Sequence, residues 1–214
     1  QARGVYMSMK ASCKEKYGDD SLKGKKVLIQ GLGHVGLVIA DYIMEEGAIV
    51  LGSDINQTCI ENAKAKGIEI VEPEKIFDVD IDIYCPCALG ATVNDESIEK
   101  MNFDIICGSA NNQLKEERHG KVLMDKGILY APDFIVNAGG VVHCHDELYG
   151  GFDLERANKK IDKIADQIAK VFEISKEENI PTNEAANKLA ERRIKSVEKS
   201  KGIYVEHPKS SLVR

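Results

Sequence analysis

The sequence has no apolar run long enough to span a bilayer, and it does not open with a cationic stretch followed by an apolar one. Neither a membrane span nor a secretory signal is therefore expected. It has no block of basic residues, and its formal net charge is −6, which argues against a nucleic-acid or anionic-membrane partner. There is no internal repeat, no low-complexity stretch and no Cys-x-x-Cys spacing. What remains is ordinary: 214 residues, 43% apolar and 30% charged, enough for one large soluble domain or a domain with an appendage. A cytoplasmic location is expected.

Six cysteines, Cys13, Cys59, Cys85, Cys87, Cys107 and Cys144, are scattered through a chain large enough to have its own core. They read as reduced, mostly buried thiols. Cys85-Pro86-Cys87 has one intervening residue, which is not the spacing of a zinc or redox motif. His143-Cys144-His145-Asp146 offers four potential ligands. But Ile135 to Tyr149 reads as helical, and adjacent helical residues point in different directions. No metal site is expected.

Lys25 to Asp54 carries the strongest pattern. A short apolar strand ends at Gln30, Gly31-Leu32-Gly33-His34-Val35-Gly36 follows, a helical run reaches Gly47, and a second apolar strand ends at Asp54. Val35, Ile39, Ile43 and Met44 recur at helical spacing between the strands. A glycine turn between a strand and a helix lets the backbone approach a pyrophosphate. The helix start then offers free N–H groups, and an acid ending the next strand can accept from an adenosine ribose. A glycine turn alone is weak; strand, helix, second strand and terminal acid together are a dinucleotide fingerprint. No arginine follows Asp54 to offset a 2′-phosphate, so NAD is expected rather than NADP.

In chain order, Gly4 to Tyr17 reads as an opening helix with Val5, Met9, Cys13 and Tyr17 on one face. Gln57 to Lys66 is helix-like with Gly67 as its cap, Ile68 to Val71 a third strand, and Pro73 starts a short turn. Ile81 to Cys85, Asp104 to Cys107 and Ile128 to Tyr130 follow as strands. Helices are expected from Asn94 and over Gln113 to Asp125. The alternation predicts an α/β fold, a Rossmann-type doubly wound, mostly parallel sheet in the order 3-2-1-4-5-6. Leu154 to Asn179, with Ile161, Ile164, Ile168, Val171 and Phe172 on one stripe, and a second helix restarting at Pro181 close the chain. The expected layout is an opening helix over 1–20, the nucleotide-binding domain over 21–150, C-terminal helices over 151–200 and a loose tail over 201–214.

Ligands of such sheets lie beyond the carboxyl ends of the strands. Those ends hold the glycine turn, Asp54-Ile55-Asn56, Cys85 to Gly90, Ala110-Asn111-Asn112-Gln113 and Ala131-Pro132-Asp133, with Asn137 close behind. Asn111 and Asn112 read both as caps for a following helix and as amides able to meet a carboxamide's donor and acceptor.

At these loops the sequence resembles the cofactor-binding domain of the glutamate/leucine/phenylalanine/valine amino-acid dehydrogenases, with its leucine-type branch the nearest pattern. The resembling stretches include Gln30 to Gly36, Ser53 to Asn56, Pro86 to Ala91, Gly108 to Leu114, Tyr130 to Asp133 and Asn137 to Val141. The resemblance implies reversible oxidative deamination of an L-amino acid to a 2-oxo acid and ammonia, with hydride passing to NAD, in a homo-oligomer. It implies that Gly31, Gly33, His34, Val35 and Gly36 hold the pyrophosphate, and that Asp54 and Ile55 border the adenosine. Cys85 and Pro86, Ala110, Asn111, Asn112 and Asn137 then border the rest of the cofactor. Val141 and Cys144 fall where the family lines its substrate pocket.

The resemblance also implies that the catalytic lysines and aspartate belong to a domain preceding the opening helix. The chain starts at Gln1 in helix-like sequence, which reads as a cut from something longer, so cofactor binding without turnover is expected. The competing reading is a stand-alone NAD-binding sensor or regulatory module; coding sequence upstream of Gln1 distinguishes the two.

Overall fold

The computed structural model describes residues 1–140 and 153–201, with side chains left out at Leu154 and over 197–201. The elements are α1 (Ala2–Tyr17), β1 (Lys26–Gln30), α2 (His34–Glu45), β2 (Ile49–Ser53), α3 (Gln57–Ala65), β3 (Glu69–Ile70), a 3-10 turn (Pro73–Lys75) and β4 (Ile83–Pro86). Then come α4 (Asp95–Lys100), β5 (Ile105–Ile106), α5 (His119–Asp125), β6 (Leu129–Tyr130), α6 (Asp133–Val136), α7 (Leu154–Glu178) and α8 (Thr182–Lys201).

The strands form one six-stranded sheet in the order β3-β2-β1-β4-β5-β6, and every pairing is parallel. This is the expected doubly wound order. Register is fixed from Lys26 opposite Ile49 to Gln30 opposite Ser53, which brings the ends of β1 and β2 level. Side chains alternate through the sheet. Val27, Ile29, Ile83, Cys85, Ile105 and Cys107 enter the layer that holds α1, α2 and α7. Leu28, Leu51, Tyr84 and Ile106 enter the opposite layer with Val93, Ile98, Met101 and Leu123. Both faces are covered, as a parallel sheet requires.

α1 lies along α7 and against α2. Val5, Met9 and Cys13 on its expected face are fully buried, and Tyr17 donates to Asp104 just before β5 at 2.9 Å. Each of the larger apolar side chains contributes about 1.5–3 kcal/mol on burial. The expected stripe of α7, Ile161, Ile164, Ile168, Val171 and Phe172, is buried as well. α8 packs on α7 through Ala185 and Ala186, but its stripe opens outward, and Ile194 is exposed.

The clearest differences from the sequence reading are one helix start and the length of two strands. The helix expected from Gln113 begins only at His119. Leu114 instead bridges Val93, and Lys115 donates to the Val93 carbonyl at 2.9 Å, which holds this segment extended. β3 and β5 are each two residues long rather than four.

Candidate functional site

The glycine turn lies between β1 and α2. Gly31 has φ +106°, and its N–H donates to the Ser53 carbonyl at 2.8 Å, tying the turn to the end of β2. A Cβ at Gly31 would lie 2.8 Å from Ala88 N and Cβ and 2.9 Å from the Cys87 carbonyl carbon. A Cβ at Gly36 would lie 2.0 Å from the Gly31 carbonyl oxygen, so the helix can meet the strand only without a side chain. Gly33 differs from both: a Cβ there meets nothing within 4 Å. The space beside it is left open. α2 has no side-chain cap, and Leu37 makes the first helical bond, to the Gly33 carbonyl at 3.0 Å. The amides of His34, Val35 and Gly36 therefore precede the helical ladder, at the end where a helix favours negative charge.

Asp54 is half-buried at the end of β2. One carboxylate oxygen accepts from Leu32 N–H at 2.6 Å, within the glycine turn, and the other from Asn56 N–H at 2.8 Å. Asn56 in turn caps α3 by accepting from Thr58 and Cys59. The carboxylate is thus oriented by backbone donors from two sides while each oxygen keeps acceptor capacity. Ile55 beside it is 90% exposed, an apolar side chain open at the rim.

At the ends of β5 and β6 the asparagines come together: Asn137 Nδ2 donates to Asn111 Oδ1. Asn111 and Asn112 do not cap a helix, and Asn112 has φ +52°. The loops after β4 and β5 are fastened to each other, Ala91 N–H donating to the Asn112 carbonyl at 2.7 Å and Val93 N–H to the Gln113 carbonyl at 3.0 Å. Two positioning residues escaped the sequence reading of roles. Gln113 is fully buried, and its amide donates to the carbonyls of Gly108 and Ala110 at 3.0 Å each, fixing the segment that carries Ala110 and Asn111. Buried Asp133 accepts from Gln113 N–H at 3.3 Å and from the Tyr130 hydroxyl at 3.1 Å. A glutamine closing Ala-Asn-Asn-Gln is the one sequence signal for the first; nothing local marks the second.

Between these halves, Pro86 accepts from Ala110 N–H at 2.9 Å and Cys87 N–H donates to the Gln30 carbonyl at 2.7 Å. Cys85 is fully buried beneath the rim, Cys87 half-buried at it, and their sulfurs lie 3.6 Å apart. The Cys85 thiol is the main influence holding the Cys87 thiol below its ordinary value; burial opposes this, and Ser109 assists it through its hydroxyl and amide. The same contact, together with burial, pushes the Cys85 thiol well up.

Val141, Cys144 and the His143 to Asp146 cluster lie outside the described residues, as does most of the helix expected over Ile135 to Tyr149. Among the described residues Asp95, Glu116 and His119 approach one another closely enough to share an ion. His119 is buried, accepts from Glu116 N–H at 3.0 Å and meets Asp95 at 3.3 Å. Arg118 bridges Asp95 and Glu116 with contacts of 2.6 and 2.7 Å. The group is a brace between α4 and α5 with both carboxylates already paired to Arg118. No helix among the described residues is long and apolar enough to cross a membrane.

The profile of the family described as Glutamate/Leucine/Phenylalanine/Valine dehydrogenase matches residues 1–64 and 52–202. The chain is 50% identical over 206 residues to a leucine dehydrogenase of Thermoactinomyces intermedius, covering 96% of this chain and 56% of that protein. It superposes on the crystal structure of L-tryptophan dehydrogenase from Nostoc punctiforme with a TM-score of 0.89 at 39% identity, over 92% of this chain and 61% of that one. A hetero-hexameric glutamate dehydrogenase from Thermus thermophilus shares the fold at 19% identity, with a TM-score of 0.74 over 95% of this chain and 53% of that one. The chain thus spans about half the length of the curated relatives it matches. With an all-parallel sheet in the 3-2-1-4-5-6 order, a glycine turn locked to a strand-end carboxylate, and these matches, the chain belongs to the glutamate/leucine/phenylalanine/valine dehydrogenase family.

Proposed function

We propose that this chain is the NAD-binding half of an amino-acid dehydrogenase that interconverts an L-amino acid, of the leucine or branched-chain type, with its 2-oxo acid and ammonia. The observation that carries this reading is the bond from Leu32 N–H to Asp54, which fixes a carboxylate at the edge of a helix start whose anion space, beside Gly33, is clear. The residues fit a dinucleotide. The amides of His34, Val35 and Gly36 meet the pyrophosphate, Asp54 accepts from the adenosine ribose hydroxyls, and Ile55 offers an apolar surface to the adenine. Asn111 and Asn137 present amide groups at the nicotinamide end. Bound there, NAD supplies the hydride acceptor.

The NAD preference rests on charge. A 2′-phosphate would meet the Asp54 carboxylate, and the segment after it, Ile55-Asn56-Gln57, carries no cation. Around the nicotinamide end, the described polar side chains include amides, the Ser109 hydroxyl, the Cys87 thiol and the buried, doubly bonded Asp133. None of these is an unengaged carboxylate, imidazole or amine suited to take a proton from a substrate ammonium or an attacking water. The proton transfer and the grip on the substrate carboxylate then fall to groups outside these residues, and the chain by itself binds NAD without turning over amino acids. In the whole enzyme the partners are the amino-acid and 2-oxo-acid pair and further copies of the subunit, in the cytoplasm.

The test pairs a calorimetric titration of NAD and NADP with an assay of NADH formation from leucine, valine, phenylalanine and glutamate. Binding of NAD well above NADP without turnover supports the proposal. Equal affinity for the two removes the role given to Asp54, and sustained turnover places a catalytic base within the 214 residues.

A further inference from the structure

We propose that Cys87 and Cys85 form a hydroperoxide-reactive thiol pair that closes to a disulfide, and that this closure is coupled to nucleotide binding at the glycine turn. The coupling rests on the dinucleotide site proposed above; the thiol chemistry does not.

Position and environment single out this pair. Among the described cysteines, Cys13 and Cys107 are fully buried, and burial pushes the Cys13 thiol up to about 12 and that of Cys107 well up. Cys87 alone combines partial exposure with a thiol held low, and a second sulfur waits 3.6 Å away. Reactive cysteines have this combination, and a neighbouring thiol that resolves the first oxidation product protects against further oxidation. Cys87 follows the last residue of β4 and continues its pairing through the bond to Gln30; in such extended backbone, Cα atoms two residues apart span about 6.6 Å. That is at the long end of what a disulfide bridges, about 4.4–6.8 Å. Closing the bond requires the backbone to contract until the Cβ atoms lie about 3.5–4.5 Å apart, and a bridge strained in this way is readily reduced again.

The step balances with a hydroperoxide as oxidant. The Cys87 thiolate attacks a peroxide oxygen, the O–O bond breaks, and a sulfenic acid forms while the other oxygen leaves as water or an alcohol. The Cys85 sulfur then attacks the Cys87 sulfur. The S–S bond forms, the S–O bond breaks, and the departing hydroxide takes the Cys85 proton and leaves as water. The sulfur pair loses two electrons and the peroxide gains them.

The contraction reaches the nucleotide site through contacts without slack. Cys87 N–H is bonded to the Gln30 carbonyl at 2.7 Å, the last residue before the glycine turn. The Cys87–Ala88 peptide is so close to Gly31 that no Cβ fits between them. Drawing Cys87 toward Cys85 therefore shifts the peptide against which the turn is packed. By linkage, a ligand that holds the turn in its present shape resists closure by the factor by which closure weakens that ligand.

The experiment treats the reduced chain with a small excess of hydrogen peroxide, with and without NAD, and maps the cysteines by peptide mass. Unoxidised protein is titrated with NAD by calorimetry in parallel. The expected result is loss of two hydrogens from the peptide carrying Cys85 and Cys87, reversed by a dithiol. Dimedone added during oxidation should trap Cys87 in the wild-type chain, and Cys85→Ser should accumulate that adduct without a disulfide. NAD at about ten times its dissociation constant should lower the yield of disulfide, by up to about tenfold in a dithiol redox buffer. The wild-type trapping keeps the result readable if the serine variant is unstable. Without NAD, oxidation of another cysteine first, or a Cys87 sulfinic acid with no disulfide, overturns the thiol pair. NAD that binds the reduced chain yet gives no protection overturns the coupling and leaves the cofactor reading intact. NAD that does not bind the reduced chain removes the cofactor reading and the coupling with it, while the mass map still judges the pair.

Discussion

The two ends of the sheet are built in opposite ways. At the amino end, charges are matched. Asp82 accepts from Lys26 N–H at 2.8 Å, Lys26 pairs with Asp80 at 2.6 Å, Tyr17 and Lys16 both reach Asp104, and Lys126 reaches the carbonyls of Ile98 and Met101. A depression of about 470 Å³ there is walled by Lys16, Asp80, Asp82, Asp104 and Lys126 and contains its own counterions. At the carboxyl end the groups are fixed in place but left with capacity to spare. The α2 amides precede the ladder, Asp54 is oriented yet still an acceptor, and Asn111 holds Asn137 with amide groups remaining. One end closes its hydrogen-bonding accounts internally, and that favours folding; the other holds donors and acceptors in order for something else, and that favours binding.

The largest expected effect comes from Gly36→Ala. Its Cβ would overlap the Gly31 carbonyl, so strand and helix must separate, and unfolding should become easier by about 3 kcal/mol, the upper range of ordinary overpacking, with NAD binding lost. Denaturant unfolding and calorimetry read the two effects. Asp54→Ala should weaken NAD ten- to a hundred-fold, since bonds to a charged group contribute about 1.5–3 kcal/mol.

Gly33→Ala sharpens the contrast. Gly33 has φ −70°, which alanine adopts freely, and the Cβ meets no protein atom. Stability should hold or rise by about 0.4–1 kcal/mol, while NAD affinity falls because the methyl enters the phosphate space. At the other end, Tyr17→Phe should cost about 0.5–1.5 kcal/mol through its lost bond to Asp104 and leave NAD affinity unchanged. Smallest of all, Lys26→Ala should move neither the unfolding midpoint nor NAD affinity beyond experimental error, because its partner Asp80 is almost wholly in water. A change in NAD affinity from either amino-end variant would break the division between the two ends.

The sequence made the sheet order legible because strands β1, β2 and β4 are apolar, bounded by turn residues and separated by helical periodicity. Asn94 likewise announced α4, which it opens as a capping box with Ser97. Asn111 and Asn112 misled as caps, since the extended Leu114–Lys115 segment pairs with Val93, about twenty residues earlier in the chain, and no local pattern reports that contact. Gln113 and Asp133 escaped for a different reason: Gly108, Ala110 and Tyr130 are near them in sequence but come within reach only through the way the chain turns beyond β5 and β6, and the Gln113–Asp133 bond spans twenty residues. The proximity of Cys85 to Cys87 follows from strand geometry, but their unequal burial depends on where β4 ends against Gly31 and Ser109. Val141 and Cys144, the residues expected to select the amino acid, lie outside the described residues.

The most direct test of the division is calorimetric titration of NAD into the wild-type chain and into Gly33→Ala, with the unfolding midpoint of each measured on the same samples. The account predicts that the variant unfolds no earlier than wild type while its NAD affinity falls at least about tenfold, a difference of about 1.4 kcal/mol. An alanine at position 33 that leaves NAD binding intact would contradict it, because the space beside Gly33 would then not be where the pyrophosphate lies.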